Sequence, residues 1–190
     1  MASALIALHY QNDICHAEGR IPFAIDRAQA NAERFLEASR EALERARGRG
    51  WTIAHVHIAF APDYADLPRN CRLFRTVEAL GAVKLGSWGA AALEGFELRA
   101  GEVHLMHRAN SAFFETGLQA MLDGRAVREV TVCGLATQFS VEHTVRDAAD
   151  RGYRVTVLRD CCASADPVAA AAALDVMAML ADVRALPGWP

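Results

Sequence analysis

Two histidines and one serine are the residues of this chain whose types and positions suit nucleophilic chemistry. His9 ends an apolar run, His107 ends another, and Ser140 lies just past a third, at the start of a predicted helix. A serine hydroxyl is scarcely ionised at neutral pH and needs a neighbouring base, for which the pKa of histidine is suited. Backbone N–H groups at a helix start stabilise a developing oxyanion. The three residues therefore favour attack of a serine oxygen on a carbonyl carbon.

The elements that would position these residues alternate along the chain. Near-continuous apolar runs predict strands over residues 4–9, 52–60, 102–106, 129–134 and 153–159. Amphipathic patterns predict helices over residues 26–47, 74–83, 113–122 and 139–151, and a last helix from residue 166. Strands without polar alternation are buried on both faces, so we predict a single-domain, three-layer α/β/α fold of Rossmann-like type with a mostly parallel sheet. Ligands of such folds bind beyond the carboxyl ends of the strands, where the two histidines and the serine lie.

The composition is that of a globular protein. The chain has 190 residues, of which 53% are hydrophobic and 23% charged, and no linker-like stretch divides it, so residues 1–190 are expected to form one domain. With a net charge of -3 and no basic patch, we predict no nucleic-acid partner, and no apolar stretch is long enough to predict a membrane span. The five cysteines include no CxxC pair, which indicates reduced thiols. Without a charged leader, the chain is expected to be cytoplasmic and to bind a small-molecule substrate or ligand.

Three segments of the chain resemble the isochorismatase-like superfamily of cysteine hydrolases. In residues 4–13 an apolar run leads to Gln-Asn-Asp, and His9 occupies the position of the family's Asp. A second segment runs on to Ser-Ala-Phe from His107, which occupies the position of the family's Lys. Residues 132–141 match the family's nucleophile segment, with Ser140 in the position of the Cys. Because the match keeps its order and spacing to at least Cys162, the chain is identified as a member of this superfamily.

The resemblance implies a mechanism that this chain cannot use unchanged. In typical members the Asp accepts the cysteine proton, the Lys stabilises the anionic species, and a carbonyl compound, usually an amide, is hydrolysed through a thioester. The resemblance also implies a cis peptide bond between Leu135 and Ala136, with the backbone N–H groups of Ala136 and Ser140 as the oxyanion hole. Cys133 lies inside the fourth predicted strand and the other cysteines fall in unrelated segments, so the nucleophile is expected to be oxygen.

The set of His9, His107 and Ser140 leaves three functions open. In the first, Ser140 attacks a small amide or ester-like substrate, one histidine is the base and the other assists. In the second, the chain is an inactive homologue that serves as a small-molecule-binding or oligomeric scaffold protein, and Ser140 only bonds a free N–H group. In the third, a protonated His9 acts as the acid in vinyl-ether hydrolysis, as the resemblance to members without the cysteine implies. The first is preferred, because drift alone would not place these residue types at three converging positions.

Further residues are predicted to orient or enclose a small planar substrate. They lie after strands or beside the candidate nucleophile, and they are Gln11, Phe60, Trp88, Phe113 and Phe139.

No metal site and no cofactor is predicted. His55 and His57 share a strand face and with Asp63 resemble the metal-binding region of nicotinamidases, but the Asp-x-His spacing of that region is absent. A site built on the two candidate histidines and His16 lacks an evident carboxylate or thiolate. The long segment 61–98 is predicted to act as a lid or a subunit interface. The resemblance implies a homodimer or a higher homo-oligomer.

Overall fold

Six parallel strands form the central sheet in the computed structural model, which describes residues 2–26 and 30–190. In chain order they are β1 (Ala2–Leu8), β2 (Thr52–Ile58), β3 (Val103–His107), β4 (Val127–Leu135), β5 (Arg154–Ala163) and β6 (Asp182–Arg184). Their order across the sheet is β3-β2-β1-β4-β5-β6, and each neighbouring pair is parallel. The order reverses between β1 and β4, where open α/β sheets form a ligand crevice. The predicted α/β fold is confirmed.

Helices cover both faces of the sheet. In the described residues they are α1 (Asn12–Cys15), α2 (Ala30–Gly48), α3 (Arg72–Ala79), α4 (Leu118–Gly124), α5 (Glu142–Asp150) and α6 (Pro167–Met177). Residues 27–29, which belong to the helix predicted over 26–47, lie outside the described part of the chain. None of the helices described is both long and apolar enough to cross a bilayer.

The strand β1 shows why the apolar runs do not alternate between apolar and polar residues. Successive side chains of a strand point to opposite faces, and here both faces are covered. Leu5 and Ala7 pack in the layer that contains α2. Ile6 and Leu8 pack in the layer that contains α4, α5 and α6. A strand buried on both sides therefore needs apolar residues at every position.

The predicted helix over residues 113–122 is wrong in its first half. Glu115 has a φ of 52°, a left-handed conformation that an α-helix cannot include. Phe113 instead stacks on Tyr153 in the core, with 5.9 Å between the ring centroids. The helix begins only after Thr116, whose hydroxyl accepts the N–H of Leu118 at 3.2 Å.

The predicted helix over residues 139–151 begins earlier and in a different form. Residues Thr137–Val141 make one wide turn, in which the N–H of Val141 donates to the carbonyl of Ala136 at 3.3 Å, and α5 continues from there. Ser140 thus lies in a π-type turn that precedes the α-helix. Single wide turns of this kind are often found at functional sites.

Candidate active site

The chain leaves β1 through His9, which has a left-handed backbone conformation. Its φ is 62°, a region that is strained for a residue with a side chain. Its N–H donates to the carbonyl of Val56 at 2.9 Å, and its carbonyl accepts the N–H of Gln11 at 2.8 Å. This sharp turn holds the buried imidazole of His9 at the carboxyl ends of the strands. Backbone strain of this kind is concentrated at functional sites.

His107, the last residue of β3, meets His9. The Nε2 atoms of the two rings are 2.6 Å apart, and the ring centroids are 4.9 Å apart. His9 is 4% exposed and His107 2%, so the pair is buried. The structure brings the two predicted histidines together, and it bonds them to each other.

The second partner of His107 determines which of its ring nitrogens carries hydrogen. Its Nδ1 lies 3.1 Å from the carbonyl oxygen of Ser111, and because a carbonyl only accepts, this nitrogen is the donor. The Nε2 of a neutral His107 is then an acceptor, so the bond between the rings requires the Nε2 of His9 to donate. In this bonding pattern Nδ1 of a neutral His9 carries no hydrogen, and a hydrogen bond with the Leu135 backbone favours the form of the ring that gains one.

Ser111 is in turn held by α5. Its hydroxyl donates to the carboxylate of Asp147 at 2.7 Å. The next residue, Ala112, donates its N–H to the hydroxyl of Thr144 at 3.0 Å. The loop after β3 is thereby fixed to α5 at two points. The orientation of the His107 ring depends on this attachment.

Both histidines of the pair are neutral near pH 7. Burial is the largest cause that lowers the pKa of His9 well below its ordinary value of 6.5. Repulsion by His107 and His57 in their protonated forms lowers it further, whereas a hydrogen bond with the Leu135 backbone raises it. Burial also lowers the pKa of His107 to about 4, against the effect of its hydrogen bond to the Ser111 backbone. His107, which stands at the position of the family's Lys, therefore does not supply the positive charge that a lysine would.

His9, Ala136 and Ser140 border one cavity of about 40 Å³ at the carboxyl ends of the strands. A water molecule needs roughly 10 to 15 Å³ of such a volume, so only a few water molecules fit. Asn110 and Phe139 also border it, and the rest of the wall is apolar. None of the described residues that line this cavity is Asp, Glu, Lys or Arg.

Ser140 lies in the cavity wall and is 5% exposed. No residue in the described part of the chain makes a hydrogen bond with its hydroxyl, and His9 directs Nε2 at His107 instead. The peptide bond between Leu135 and Ala136 is cis, as the resemblance implies. Ala136 and Ser140, the two predicted oxyanion-hole residues, border the same cavity.

Of the predicted substrate-binding residues, Phe139 borders the cavity, whereas Gln11 is engaged by the backbone. The Nε2 of Gln11 donates to the carbonyls of Ile58 at 2.9 Å and of Ala90 at 2.8 Å. Its Oε1 accepts the N–H of Ile58 at 2.8 Å. The Gln11 side chain thus joins the end of β2 to the segment that follows α3, and its polar atoms are occupied.

The other predicted binding residues do not border this cavity. Phe60 is fully buried against Phe74, with 5.6 Å between the centroids. Phe113 is buried on the opposite layer against Tyr153. Trp88 is 51% exposed. Phe60 and Phe113 follow β2 and β3 in sequence, but the direction of a side chain beyond a strand end depends on the path of the loop.

A second histidine group lies on β2 and β3. The Nδ1 of His57 is 3.1 Å from the Nε2 of His104. The Nε2 of His55 is 2.8 Å from the carboxylate of Glu102, which also pairs with Arg47 at 2.6 Å. In the part of the chain that the structure describes, no three or more His, Cys, Asp or Glu side chains are grouped so that they could hold a metal ion.

The cysteines are free thiols, and of those in the strands Cys133 and Cys161 are buried and Cys162 is half-buried. Burial raises the pKa of Cys133 to about 12, and it also raises the pKa values of Cys161 and Cys162. No cysteine is among the described residues that border the cavity. A thiolate nucleophile is therefore not available at this site.

A larger groove of about 760 Å³ runs between α2 and α6. Thr137 and Asp160 are among its lining residues. His9, His107 and Ser140 do not line it. Because the smaller cavity is bordered by His9 and Ser140, we assign the candidate active site to it.

Sequence analysis does not identify two residues of this site. Asn110 borders the cavity, and Ser111 orients His107 through its carbonyl. Both lie on the loop directly after β3, at the same sheet edge as the candidate catalytic residues. That position is the feature of the sequence that could have identified them.

The chain is similar over nearly its whole length to proteins of one family. A solved structure of an isochorismatase family protein from Desulfovibrio vulgaris has a TM-score of 0.86 and 26% identity, and the match covers 98% of this chain and 95% of the other. A ureidoacrylate amidohydrolase from Methylorubrum extorquens is 27% identical over 88% of this chain and 72% of its own. A maleamate amidohydrolase from Pseudomonas putida is 30% identical over 66% of this chain and 58% of its own. The isochorismatase domain matches residues 3–186, and the chain therefore belongs to the isochorismatase family.

Proposed function

We propose that this protein hydrolyses a small amide or ester-like substrate, with Ser140 as the nucleophile and His9 as the general base. The observation that carries the proposal is that both residues border the same buried cavity, where the hydroxyl of Ser140 has no hydrogen-bond partner among the described residues. A hydroxyl and a neutral imidazole in one water-poor cavity are the components of an activated oxygen nucleophile. The amidohydrolase names of two relatives support an amide as the substrate.

The reaction begins when Oγ of Ser140 attacks the substrate carbonyl carbon and its proton passes to Nδ1 of His9. The carbonyl π bond breaks, and the N–H groups of Ala136 and Ser140 stabilise the oxyanion that forms. The oxyanion then collapses, the bond to the leaving amine breaks, and the amine takes the proton from His9. Water attacks the resulting Ser140 ester by the same route, which releases the carboxylic acid and restores the hydroxyl.

His107 is assigned the role of orienting His9. It accepts the hydrogen of His9 Nε2 and is itself held through the Ser111 carbonyl. This arrangement selects the tautomer of His9 that has its lone pair on Nδ1, as the third member of a catalytic triad does. A neutral imidazole stabilises the His9 imidazolium less than a carboxylate would, so we expect slower turnover than in triads with Asp.

Substrate entry requires a movement of the cavity wall. A cavity of about 40 Å³ is too small for an amide with several heavy atoms. Phe23, Leu73 and Phe139 border it and are only half-buried, so their displacement would open it to solvent. We assign the lid role to α3, which carries Leu73 within the segment 61–98.

The experiment is a screen for ammonia release from small primary amides and for alcohol release from the matching esters. Ser140→Ala is expected to abolish turnover, and rapid quenching of the wild type followed by mass spectrometry should detect an ester on Ser140. Ser3→Ala is the matched control, because it removes a hydroxyl at the other end of β1. Full activity in Ser140→Ala would overturn serine catalysis.

A binding protein without turnover is the second candidate. It is favoured by the closed apolar cavity and by the two histidine rings that bond each other rather than Ser140. In that case small amides would bind without reacting, and Ser140→Ala would bind them with unchanged affinity in calorimetric titration. Vinyl-ether hydrolysis by a protonated His9 ranks lower, because burial lowers the pKa of His9 and leaves little of the acid form at neutral pH.

A further inference from the structure

We infer that the substrate is uncharged and carries two polar groups, one cleaved at Ser140 and the other hydrogen-bonded by the side chain of Asn110. This inference rests on the proposed function and deepens it, because it names the class of substrate and a residue that selects it. It concerns the wall of the cavity that His9 and Ser140 border.

The wall has few polar side chains. Among the described residues that line the cavity, they are His9, Asn110 and Ser140. In the proposed reaction Ser140 supplies the nucleophilic oxygen and His9 supplies the nitrogen that accepts its proton. Asn110 is therefore the polar side chain that is left to recognise a part of the substrate that does not react.

A charged substrate has no counterion in this wall. No Lys, Arg, Asp or Glu is among the described lining residues, and burial lowers the pKa of His9, so that its ring is uncharged near neutral pH. Burying an ionised carboxylate without a paired cation is strongly unfavourable, whereas an uncharged carboxamide needs only hydrogen bonds. The cavity therefore favours an uncharged molecule.

Asn110 is suited to recognise a substrate because its side-chain amide has no hydrogen-bond partner among the described residues, while its neighbours on the loop are bonded. No described residue makes a hydrogen bond with its side-chain amide. On one side Arg108 pairs with Asp66 at 2.5 Å, and on the other Ser111 bonds Asp147 at 2.7 Å. These two contacts flank Asn110 on the loop after β3, and its carboxamide can donate and accept toward a second carboxamide.

The test compares three amides that differ only at the end remote from the cleaved bond. Succinamide has a second carboxamide there, succinamate has a carboxylate of the same shape, and butanamide has a methyl group. For the wild type we expect kcat/KM to be about 100-fold higher for succinamide than for succinamate, a ratio set by the burial of an unpaired carboxylate. Equal or better turnover of succinamate would overturn the inference and leave the proposed hydrolase function intact.

The role of Asn110 is tested with Asn110→Ala. The variant is expected to lower kcat/KM about 10-fold more for succinamide than for butanamide, mainly through KM, because butanamide offers Asn110 no partner. A purely structural role would lower both values equally and would overturn the assignment. Asn70→Ala, at an exposed asparagine that does not border the cavity, is the matched control.

Binding separates this inference from the proposed function. If none of the three amides is hydrolysed, calorimetric titration of the same compounds measures the selectivity directly. Tighter binding of succinamide than of succinamate, reduced by Asn110→Ala, would support the selectivity while the hydrolase proposal fails. If no compound binds or reacts at millimolar concentration, both proposals are overturned.

Discussion

The backbone of Gly134 in β4 packs against the carbonyl oxygen of Leu8 in β1, and its φ is 128°. A Cβ at this glycine would overlap that oxygen, and an L side chain rarely adopts such a φ. The contact places the end of β1, from which His9 emerges, beside the segment Leu135–Ala136. The absence of a side chain at Gly134 is thus a condition for the assembly of the site.

Gly134→Ala is accordingly expected to lower the free energy of unfolding by about 3 kcal/mol or more, because steric overlap and backbone strain add. Gly124→Ala is the control, since nothing lies within 4 Å of a Cβ there and its φ is not positive. Without a clash it should be neutral or stabilise by about 0.5 kcal/mol. Urea unfolding of both variants gives the comparison, and a neutral Gly134→Ala would contradict the described approach of β1 and β4.

The two histidines of the pair should differ in their effect on catalysis. His9→Ala removes the base and is expected to lower kcat about 1000-fold. His107→Ala is expected to cost about 10- to 100-fold, because it removes the orienting partner and leaves the base. His16, which does not border the cavity, provides a control that should retain activity. A larger loss in His107→Ala than in His9→Ala would reverse the assignment of base and helper.

The pH dependence of kcat/KM distinguishes the same roles. The base acts when unprotonated, and the pKa of His9 is lowered well below 6.5, so wild-type activity should persist as the pH falls below 6.5. Burial and the charge of His107 are among the causes of that shift, so in His107→Ala the pKa of His9 should rise and the acidic limb should move to higher pH. An acidic limb that stays in place would argue against His9 as the base.

The tautomer of His107 is directly measurable. Because its Nδ1 donates to the Ser111 carbonyl, 15N NMR near pH 7 should identify hydrogen on Nδ1 and none on Nε2. Asp147→Asn weakens the attachment of Ser111 to α5 and is expected to increase the fraction of the other tautomer. Observation of the Nε2–H tautomer in the wild type would remove the basis for a lone pair on Nδ1 of His9.

Buried neutral histidines predict a loss of stability in acid. Burial lowers the pKa of His57 to about 3 and that of His107 to about 4, whereas an unfolded histidine titrates near 6.5. The unfolded chain then binds more protons below pH 6.5, so the stability present above that pH falls as the pH decreases toward the folded values. At pH 5 each of these residues should cost about 2 kcal/mol.

Urea unfolding at pH 7.5 and pH 5 measures this difference. In His57→Gln the loss between the two pH values should be smaller than in the wild type by about 2 kcal/mol. A wild-type protein that is equally stable at both pH values would show that the buried rings are protonated in the folded state.

Thiol reagents should not inhibit the hydrolase. The cysteines do not border the cavity in the described structure, and burial raises the pKa of Cys133 to about 12, which suppresses the thiolate. Treatment of the folded protein with iodoacetamide is therefore expected to leave kcat/KM unchanged, as measured by ammonia release. Stoichiometric inactivation, with a modified cysteine located by mass spectrometry, would show that sulfur takes part.

The order of the main elements was predictable because both faces of the sheet are buried. Strands such as β1 and β4 appear in the sequence as apolar runs without alternation, and the residues after those runs contain His9 and Ser140. By contrast, β6 has three residues and no apolar run of its own, so local pattern does not identify it. It is fixed by pairing with β5, a contact that sequence alone does not show.

The details of the site were less predictable, because they depend on where loops direct side chains. Ser140 and the two histidines lie at the expected sheet edge, but no pattern indicates that His9 bonds His107 rather than the serine. Phe60 and Phe113 follow strands as predicted, yet the loops turn their rings into the core. The role of Ser111 depends on its backbone carbonyl, an atom common to all residue types and so without a signature in the sequence.

The lack of Asp, Glu, Lys and Arg among the described residues of the cavity wall also has a kinetic consequence. A charged cleft attracts an oppositely charged ligand over a Debye length of about 8 Å at physiological ionic strength, and its capture rate falls as salt screens the field. This cavity exerts no such attraction on an uncharged molecule. Encounter is governed by diffusion and by the opening of the wall, so the association rate should be nearly the same in dilute buffer and in strong salt.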